Sequence, residues 1–228
     1  MLHRRPWLSH LAAVALLAAV AWTTAHTGLA GRTAAGLAPL RGFAYAALCL
    51  LCLALALGPL ARLVPRWFGA LLPARRAAGI WCAVAAGLHL WYALEYLKTY
   101  GRNTLRQVFF APPTVLGFSV PRGPTGWTPD LTPTGIACWL GLFALAGMAL
   151  LALTSSDPAQ RWLGQASWKW VHGRVYGIFA LVLLHFALVS LAPLKGSPAR
   201  LTPFWYVAAA TALLQVGAFV KTTLGRRR

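Results

Sequence analysis

The chain has 228 residues, of which 59% are hydrophobic and only 11% are charged, and its mean hydropathy is +0.63. This composition leaves too few polar side chains to cover a water-soluble globule of that size, so it excludes a soluble protein and indicates an integral membrane protein. The formal net charge of +18 is explained by anchoring to anionic lipid, because no segment has the pattern of a nucleic-acid-binding module.

Six apolar segments follow one another along the chain, each near the roughly 20 residues that a helix needs to cross the hydrocarbon core. They cover residues 7–25, 40–60, 77–97, 134–154, 170–192 and 203–221. Lipid offers no partner for exposed backbone amides, and the period-2 alternation of barrel strands is missing, so only helices fit. We predict an all-α fold, with residues 1–228 forming one transmembrane domain of six helices.

The first segment follows a basic stretch, His3-Arg4-Arg5, and resembles a signal peptide. Its apolar run is longer than a typical signal-peptide core and no clear cleavage site follows, so we predict a retained first helix. With an inside N-terminus, thirteen of the 21 Lys and Arg residues fall on the cytoplasmic side and eight on the outer side. By the positive-inside rule, both termini are expected in the cytoplasm.

One connection on the outer side, about residues 99–133, is much longer than the others and is rich in Pro and Gly. Loops of this length are often functional or disordered. Its apolar residues, Phe109, Phe110, Val115, Leu116 and Phe118, argue against pure disorder. We expect contact with the membrane surface or with a partner domain, and a loop that simply rests on lipid is an equal alternative.

The four cysteines, Cys49, Cys52, Cys82 and Cys138, all fall inside predicted spans. Cys49 and Cys52 form a C-x-x-C pair, but in an apolar helix and away from the soluble fold in which such a pair is a redox motif. None of the cysteines forms a zinc-ligand pattern with the histidines. We interpret them as small packing residues.

Three of the six histidines, His89, His172 and His185, lie within predicted spans. Ionisable side chains inside a bilayer are usually functional, so three imidazoles there indicate a buried cofactor, with haem as the leading candidate. The alternative is a hydrogen bond to a neighbouring helix, worth about 0.6–2 kcal/mol. The remaining histidines are weak candidates, because they lie where water or headgroups can satisfy them: His3, His10 and His26.

His89 and His185 lie at similar depths on the third and fifth spans, which run in the same direction. The two imidazoles can therefore face each other across the bundle, one on each side of a haem plane. Such bis-histidine ligation gives a low-spin b-type haem suited to electron transfer, with little room for oxygen at the iron.

His172 precedes His185 by thirteen residues, which places it about 19.5 Å closer to the cytoplasm on a continuous helix. That spacing fits a second haem, but the matching positions on the third span hold Arg75 and Arg76, and only His10 offers a substitute ligand. Thirteen helical steps also put His172 and His185 roughly 140° apart, so a shared face needs local distortion. His172 is left open as an alternate ligand, a second-site ligand or a propionate contact, and the haem count as one or two.

A transporter or channel whose histidines relay protons is a candidate from another class. Such proteins usually carry several acids within the membrane, whereas this chain has only Glu95, Asp130 and Asp157, all near or beyond span ends. A transporter should show no Soret band. A purely structural subunit is a third candidate, and it predicts partner activity that survives replacement of His89 and His185.

Several stretches resemble the ferric-reductase-like transmembrane family. They are Leu-Gly-Pro-Leu-Ala-Arg-Leu at 57–63, Ala-Arg-Arg-Ala-Ala-Gly-Ile-Trp at 74–81 with the following Leu-His-Leu at 88–90, and Leu-Thr-Ser-Ser at 153–156 with residues 168–176 and Leu-His-Phe at 184–186. Within that family, the order of these motifs is similar to that of the haem-binding subunits of bacterial periplasmic methionine-sulfoxide reductase systems. The resemblance covers a core of about residues 40–192.

This resemblance implies a haem b electron-transfer subunit, without catalytic residues of its own, in the bacterial inner membrane. It implies electrons from the quinone pool or a flavin reductase, FMN as a further cofactor, and delivery to a periplasmic molybdenum-containing reductase that repairs methionine sulfoxide in proteins. His89, His172 and His185 match the family's haem histidines. Arg75 and Arg76 match its basic pair, where contacts to haem propionates or a flavin phosphate are expected, with topology anchoring as an equal alternative.

A conduit for ferric reduction, or for another outer-side oxidoreductase, would carry much the same residues. No soluble nicotinamide or flavin domain follows the sixth span, so we expect the electrons to come from another protein or from quinol.

Overall fold

Helices account for most of the residues that the computed structural model describes, which are 6–27, 37–99, 108–111, 114–115, 118–119, 128–191 and 202–225. They are α1 (Pro6–His26), α2 (Leu37–Leu63), α3 (Pro65–Phe68, continued by a 3-10 turn at Gly69–Leu71), α4 (Ala74–Lys98), α5 (Pro133–Leu153), α6 (Asp157–Leu163), α7 (Gln165–Gly173), α8 (Val175–Leu191) and α9 (Thr202–Gly225). Six segments are long and apolar enough to cross a membrane: α1, α2, α4, α5, α7 together with α8, and α9. The predicted all-α bundle of six spans is confirmed.

Four two-residue strands lie in the described part of the long connection between α4 and α5. They are β1 (Phe110–Ala111), β2 (Thr114–Val115), β3 (Phe118–Ser119) and β4 (Thr128–Pro129). β1 pairs antiparallel with β4, and β2 pairs antiparallel with β3. The first pairing brings Phe110–Ala111 next to residues that shortly precede α5.

Contacts between helix ends define two ends of the bundle. At one end, an ion pair of 2.6 Å between Arg76 and Asp157 joins the start of α4 to the start of α6. At the same end, Lys221 of α9 donates to the carbonyl oxygen of Leu63, the last residue of α2 (3.2 Å). We call this the terminal end, because the last helix finishes there, and we call the opposite end, which carries the long connection, the loop end.

α2 is the central helix of the bundle. It packs against α1, α4 and α9, while α5 pairs with α8 and also contacts α4. In the most apolar window of α2, 61% of the residues are buried, compared with 11% to 28% in the other five spans. Small residues at the α2–α4 contact, among them Ala46, Ala78 and Ala85, are almost fully buried and allow the close helix approach that is typical of membrane bundles.

The fifth predicted span is interrupted. α7 ends at Gly173 and α8 begins at Val175, with Arg174 between them. The backbone N–H of Arg174 donates to the carbonyl of Val171, three residues back, which is the tighter spacing of a 3-10 turn (3.0 Å). The local distortion considered for this span is therefore present, and the angle calculated for one ideal helix does not apply across it.

A proline inside α2 is compensated by a side chain of α9. Pro59 has no backbone N–H, so the carbonyl of Leu55, four residues earlier, lacks its usual helical partner. The side-chain amide of Gln215 donates to that carbonyl (2.8 Å). Because lipid cannot supply the missing bond, α9 satisfies a backbone group that α2 leaves open.

We expect Gln215→Leu to lower the free energy of unfolding in detergent by about 1–3 kcal/mol, because the Leu55 carbonyl becomes an unsatisfied buried acceptor. The matched background is Pro59→Ala, which restores a backbone N–H at position 59. Denaturant or thermal unfolding of all four variants measures the effect. An equal loss in both backgrounds would contradict this role for Gln215.

Candidate functional site

The structure brings His89 of α4 and His185 of α8 together inside the bundle. Their ring centroids are 6.1 Å apart and their ring planes lie at 77°. Such an angle is far from face-to-face stacking, so the rings do not form a stacked pair. Two imidazoles from different spans thus face each other across a narrow space.

Each of the two rings is oriented by a backbone carbonyl. The Nδ1–H of His89 donates to the carbonyl oxygen of Leu40 on α2 (2.9 Å), and the Nδ1–H of His185 donates to that of Ala137 on α5 (2.7 Å). A carbonyl can only accept, so the proton of each neutral ring lies on Nδ1 and the lone pair on Nε2. A histidine held in this way presents Nε2 as a metal ligand.

The separation of the rings fits one shared metal ion. A metal–imidazole bond of about 2.0–2.1 Å, added to about 1.1 Å between a ring nitrogen and its ring centre, places the centres of two opposed imidazoles about 6.4 Å apart. The observed distance is 6.1 Å. In the described part of the chain, no three His, Cys, Asp or Glu side chains form a group that could hold a metal ion. A chelating ring such as a porphyrin could supply the further ligands to an ion between these rings.

The two histidines line a cavity of about 210 Å³ between α2, α4, α5 and α8. Its walls are almost entirely apolar, and small residues on three of the helices leave room for a flat group. The small residues are Ala44, Ala47, Ala86, Ala93, Gly141 and Ala144. An apolar cavity with a few well-placed polar groups is typical of a cofactor site.

Gly141 allows the ring of His185 to approach α5. A Cβ atom at position 141 would lie 3.0 Å from both Cε1 and Nδ1 of that ring. Gly141 also stands one helical turn after Ala137, whose carbonyl holds the same imidazole. The ring therefore lies over this turn, and a side chain at position 141 would displace it.

The cavity has one charged lining residue in the described part of the chain, Arg41 of α2. Sequence reasoning counted Arg41 only as a charge that sets orientation, and it gave no role to Gly141. Their positions depend on how α2 and α5 pack against the helices that carry the histidines. One feature of the sequence could have indicated a role for Arg41, because this charged residue stands within the apolar segment that forms α2 rather than beyond its end.

The long connection covers the cavity at the loop end. Val108 and Phe109 are buried and line the cavity. The indole N–H of Trp139 and the backbone N–H of Asp130 both donate to the carbonyl of Phe109 (3.1 and 3.0 Å), and the ring of Phe110 meets Trp139 edge-on. Phe109 and Phe110 thus contact α5 of the same chain. The other apolar residues considered in this loop, Leu116 and the side chains of Val115 and Phe118, lie outside the described part.

His172 lies away from this cavity, at the terminal end. Its Nε2 is 3.2 Å from the hydroxyl oxygen of Thr154, and its ring stacks on Trp168 at 4.1 Å. The indole N–H of Trp168 donates in turn to the carbonyl of Thr154 (3.0 Å). His172 is therefore part of a contact between α7 and the end of α5, and does not line the cavity shared by His89 and His185.

The two arginines at the start of α4 also lie at the terminal end. Arg76 is paired with Asp157, and Arg75 lies beside Gly58 of α2. His10, the substitute ligand considered for a second haem, accepts a hydrogen bond from the indole of Trp81 (3.3 Å). Among the described contacts, none joins His10 to His172.

Two of the four cysteines show the buried packing expected of them. Cys52 and Cys82 are buried, Cys49 and Cys138 are half-buried, and none of the four forms a disulfide in the described part of the chain. The thiol of Cys82 contacts the carbonyl of Ala47 at 3.3 Å and the sulfur of Met148 at 3.4 Å. These contacts join α2, α4 and α5 at the core of the bundle.

Six membrane-length helices, four of which enclose a cavity with two opposed, backbone-oriented imidazoles, define a membrane-spanning bundle with a paired-histidine site. The profile of the family described as "Ferric reductase like transmembrane component" matches residues 41–184. The chain belongs to this ferric-reductase-like transmembrane family. It is also 32% identical over 212 residues to proteins named "Protein-methionine-sulfoxide reductase heme-binding subunit MsrQ" from Salmonella paratyphi B, Salmonella newport and Salmonella enteritidis, covering 91% of this chain and 89% of each relative.

Proposed function

We propose that this chain is a haem b electron-transfer subunit, and that His89 and His185 would hold the iron of one haem. The observation that carries the proposal is the pair of imidazoles 6.1 Å apart, each held through Nδ1 by a backbone carbonyl. When bound, haem supplies a one-electron Fe(III)/Fe(II) couple. Because two histidines would hold the iron and leave little room for oxygen, the site favours electron relay over oxygen chemistry.

The route that we propose runs from the terminal end to the loop end. The excess of Lys and Arg at the predicted inner side supports a cytoplasmic terminal end, in the inner membrane of a bacterium. Quinol or a flavin reductase is the proposed donor. The relatives' name supports a methionine-sulfoxide reductase as acceptor, and we propose that it is the periplasmic, molybdenum-containing enzyme. Val108 and Phe109 of the long connection line the cavity at the loop end, which supports exit of electrons on that side.

The terminal end is the proposed place for a second group. Arg75, Arg76 and His172 could serve FMN, through a phosphate contact, or a second haem, with His172 as ligand. The structure adds one condition for the haem alternative, since Nε2 of His172 is bonded to Thr154. Ligation of iron through Nε2 would require the hydrogen bond to Thr154 to break. If a second haem exists, His172→Ala is expected to lower the haem count from two to one.

The test is the visible spectrum and haem count of the purified full-length chain, followed by reconstitution in vesicles. We expect a low-spin b-type spectrum whose signal from the first haem survives His172→Ala, and reduction of methionine sulfoxide by added outer-side reductase when quinol is supplied. A pigment-free protein that still passes electrons would refute the proposal. A haem count of one in both wild type and His172→Ala would mean that His172 does not ligate a second haem.

Ferric reduction is the second candidate function, and the family description favours it. The same vesicles decide between the two acceptors. Electron flow to external ferric chelates, without a requirement for the methionine-sulfoxide reductase, would favour a ferric-reductase role.

A further inference from the structure

Arg41 occupies a position that the haem proposal leaves unexplained. It lies in the second turn of α2, is half-buried, and lines the cavity together with His89 and His185. Among the described residues that line the cavity, Arg41 is the only Arg, and there is no Lys, Asp or Glu. A permanently charged guanidinium in the wall of an apolar cavity attracts an anionic group of a ligand bound in that cavity.

We infer that Arg41 binds the carboxylate groups of the tetrapyrrole held between His89 and His185, with the carboxylate edge of the ring toward the loop end. The inference rests on the proposed function. An apolar cavity, two axial nitrogens and one cation together specify a flat, apolar ring that chelates a metal and carries acid groups. Arg suits this role because its planar fork forms two parallel hydrogen bonds with a carboxylate.

The register of α2 places Arg41 at the level of the ligands. The carbonyl of Leu40, the residue directly before it, accepts the hydrogen bond from His89. Leu37, Leu97 and Phe109 line the cavity at the same end, so Arg41 lies at the loop end of the cavity.

The arginines at the start of α4 are too far away to take the same role. Arg75 precedes His89 by fourteen residues, about 21 Å along the helix axis, which is about two thirds of a hydrocarbon core of about 30 Å. Arg76 is already paired with Asp157 at the terminal end. Carboxylates on a ring bound at His89 and His185 therefore lie within reach of Arg41 and out of reach of the Arg75–Arg76 pair.

The test compares protohaem with its dimethyl ester, which keeps the ring and the iron but has no carboxylates. Both are added to full-length chain that has been prepared without haem, and affinity is measured from the visible spectrum for wild type, Arg41→Gln and Arg41→Lys. We expect wild type to prefer protohaem by at least about tenfold, as for a hydrogen bond between charged groups. Arg41→Gln should lose this preference, and Arg41→Lys should keep part of it.

The matched control is Arg62→Gln, which removes the same charge from the other end of the same helix, at an exposed position. It should keep the preference of wild type. Equal affinity of wild type for both compounds, with a normal low-spin spectrum, would overturn the inference about Arg41 alone and favour a contact with a lipid headgroup. Failure of wild type to bind either compound would instead refute the haem proposal itself.

Discussion

Replacement of His89 or His185 by alanine is expected to abolish the low-spin haem spectrum and to reduce electron transfer across vesicle membranes by at least about a hundredfold. Each variant removes one of the two proposed haem ligands, so its effect should exceed the roughly 10- to 100-fold loss that follows from altering residues that only support a metal ligand. Visible spectroscopy and electron paramagnetic resonance of the purified chain measure the ligation, and vesicle assays measure the transfer.

Added imidazole separates loss of a ligand from loss of the fold. The space left by His89→Ala lies within the cavity, so free imidazole should enter it and restore a low-spin spectrum. His26→Ala is the matched control, because His26 lies exposed at the end of α1 and its hydrogen bond among the described residues is local, to the carbonyl of Trp22 (2.8 Å). An unchanged spectrum in the His89 and His185 variants would overturn the ligand assignment.

Substitution of Gly141 is expected to have the next largest effect. The methyl group of alanine at position 141 would lie 3.0 Å from the imidazole of His185, so the ring has to move by a few tenths of an ångström away from α5. Overpacking of this kind typically costs about 1–3 kcal/mol, which corresponds to a roughly 5- to 150-fold loss of haem affinity. Gly141→Leu fills the place of the ring and should prevent low-spin ligation altogether.

Gly87→Ala is the matched control, because it makes the same Gly-to-Ala change in a helix and so shows the effect of helix propensity alone. Gly87 is exposed on α4, two residues before His89, and a Cβ there meets no atom within 4 Å. It should bind haem like wild type. If Gly141→Ala matched Gly87→Ala in affinity and in its resonance spectrum, close packing at position 141 would have no part in orienting His185.

The six spans could be predicted from sequence because lipid imposes both the length and the apolar character of a membrane helix. The facing of His89 and His185 could be predicted for a related reason. Every helix that crosses the whole membrane has its middle near the centre of the bilayer. Two residues midway along such helices therefore lie at a similar depth in the membrane. Their neighbours in space, however, could not be derived in this way.

Arg41, Gly141 and the carbonyls of Leu40 and Ala137 become neighbours of the histidines only through the rotation of α2 and α5 about their own axes. Hydropathy carries little information about that rotation when a helix is apolar on every side. The break between α7 and α8 was signalled more weakly, as a misfit of the angle between His172 and His185. It appears in the structure as a tight turn at Arg174.

The hydrogen bonds that both imidazoles make to backbone carbonyls have an evolutionary consequence. Because the acceptors are the peptide oxygens of residues 40 and 137, a side-chain substitution at either position leaves both hydrogen bonds in place. Homologous chains can therefore vary at these positions while the orientation of the two imidazoles is kept, so substitutions that abolish function should concentrate at the histidines themselves and at the glycine packed against one of them.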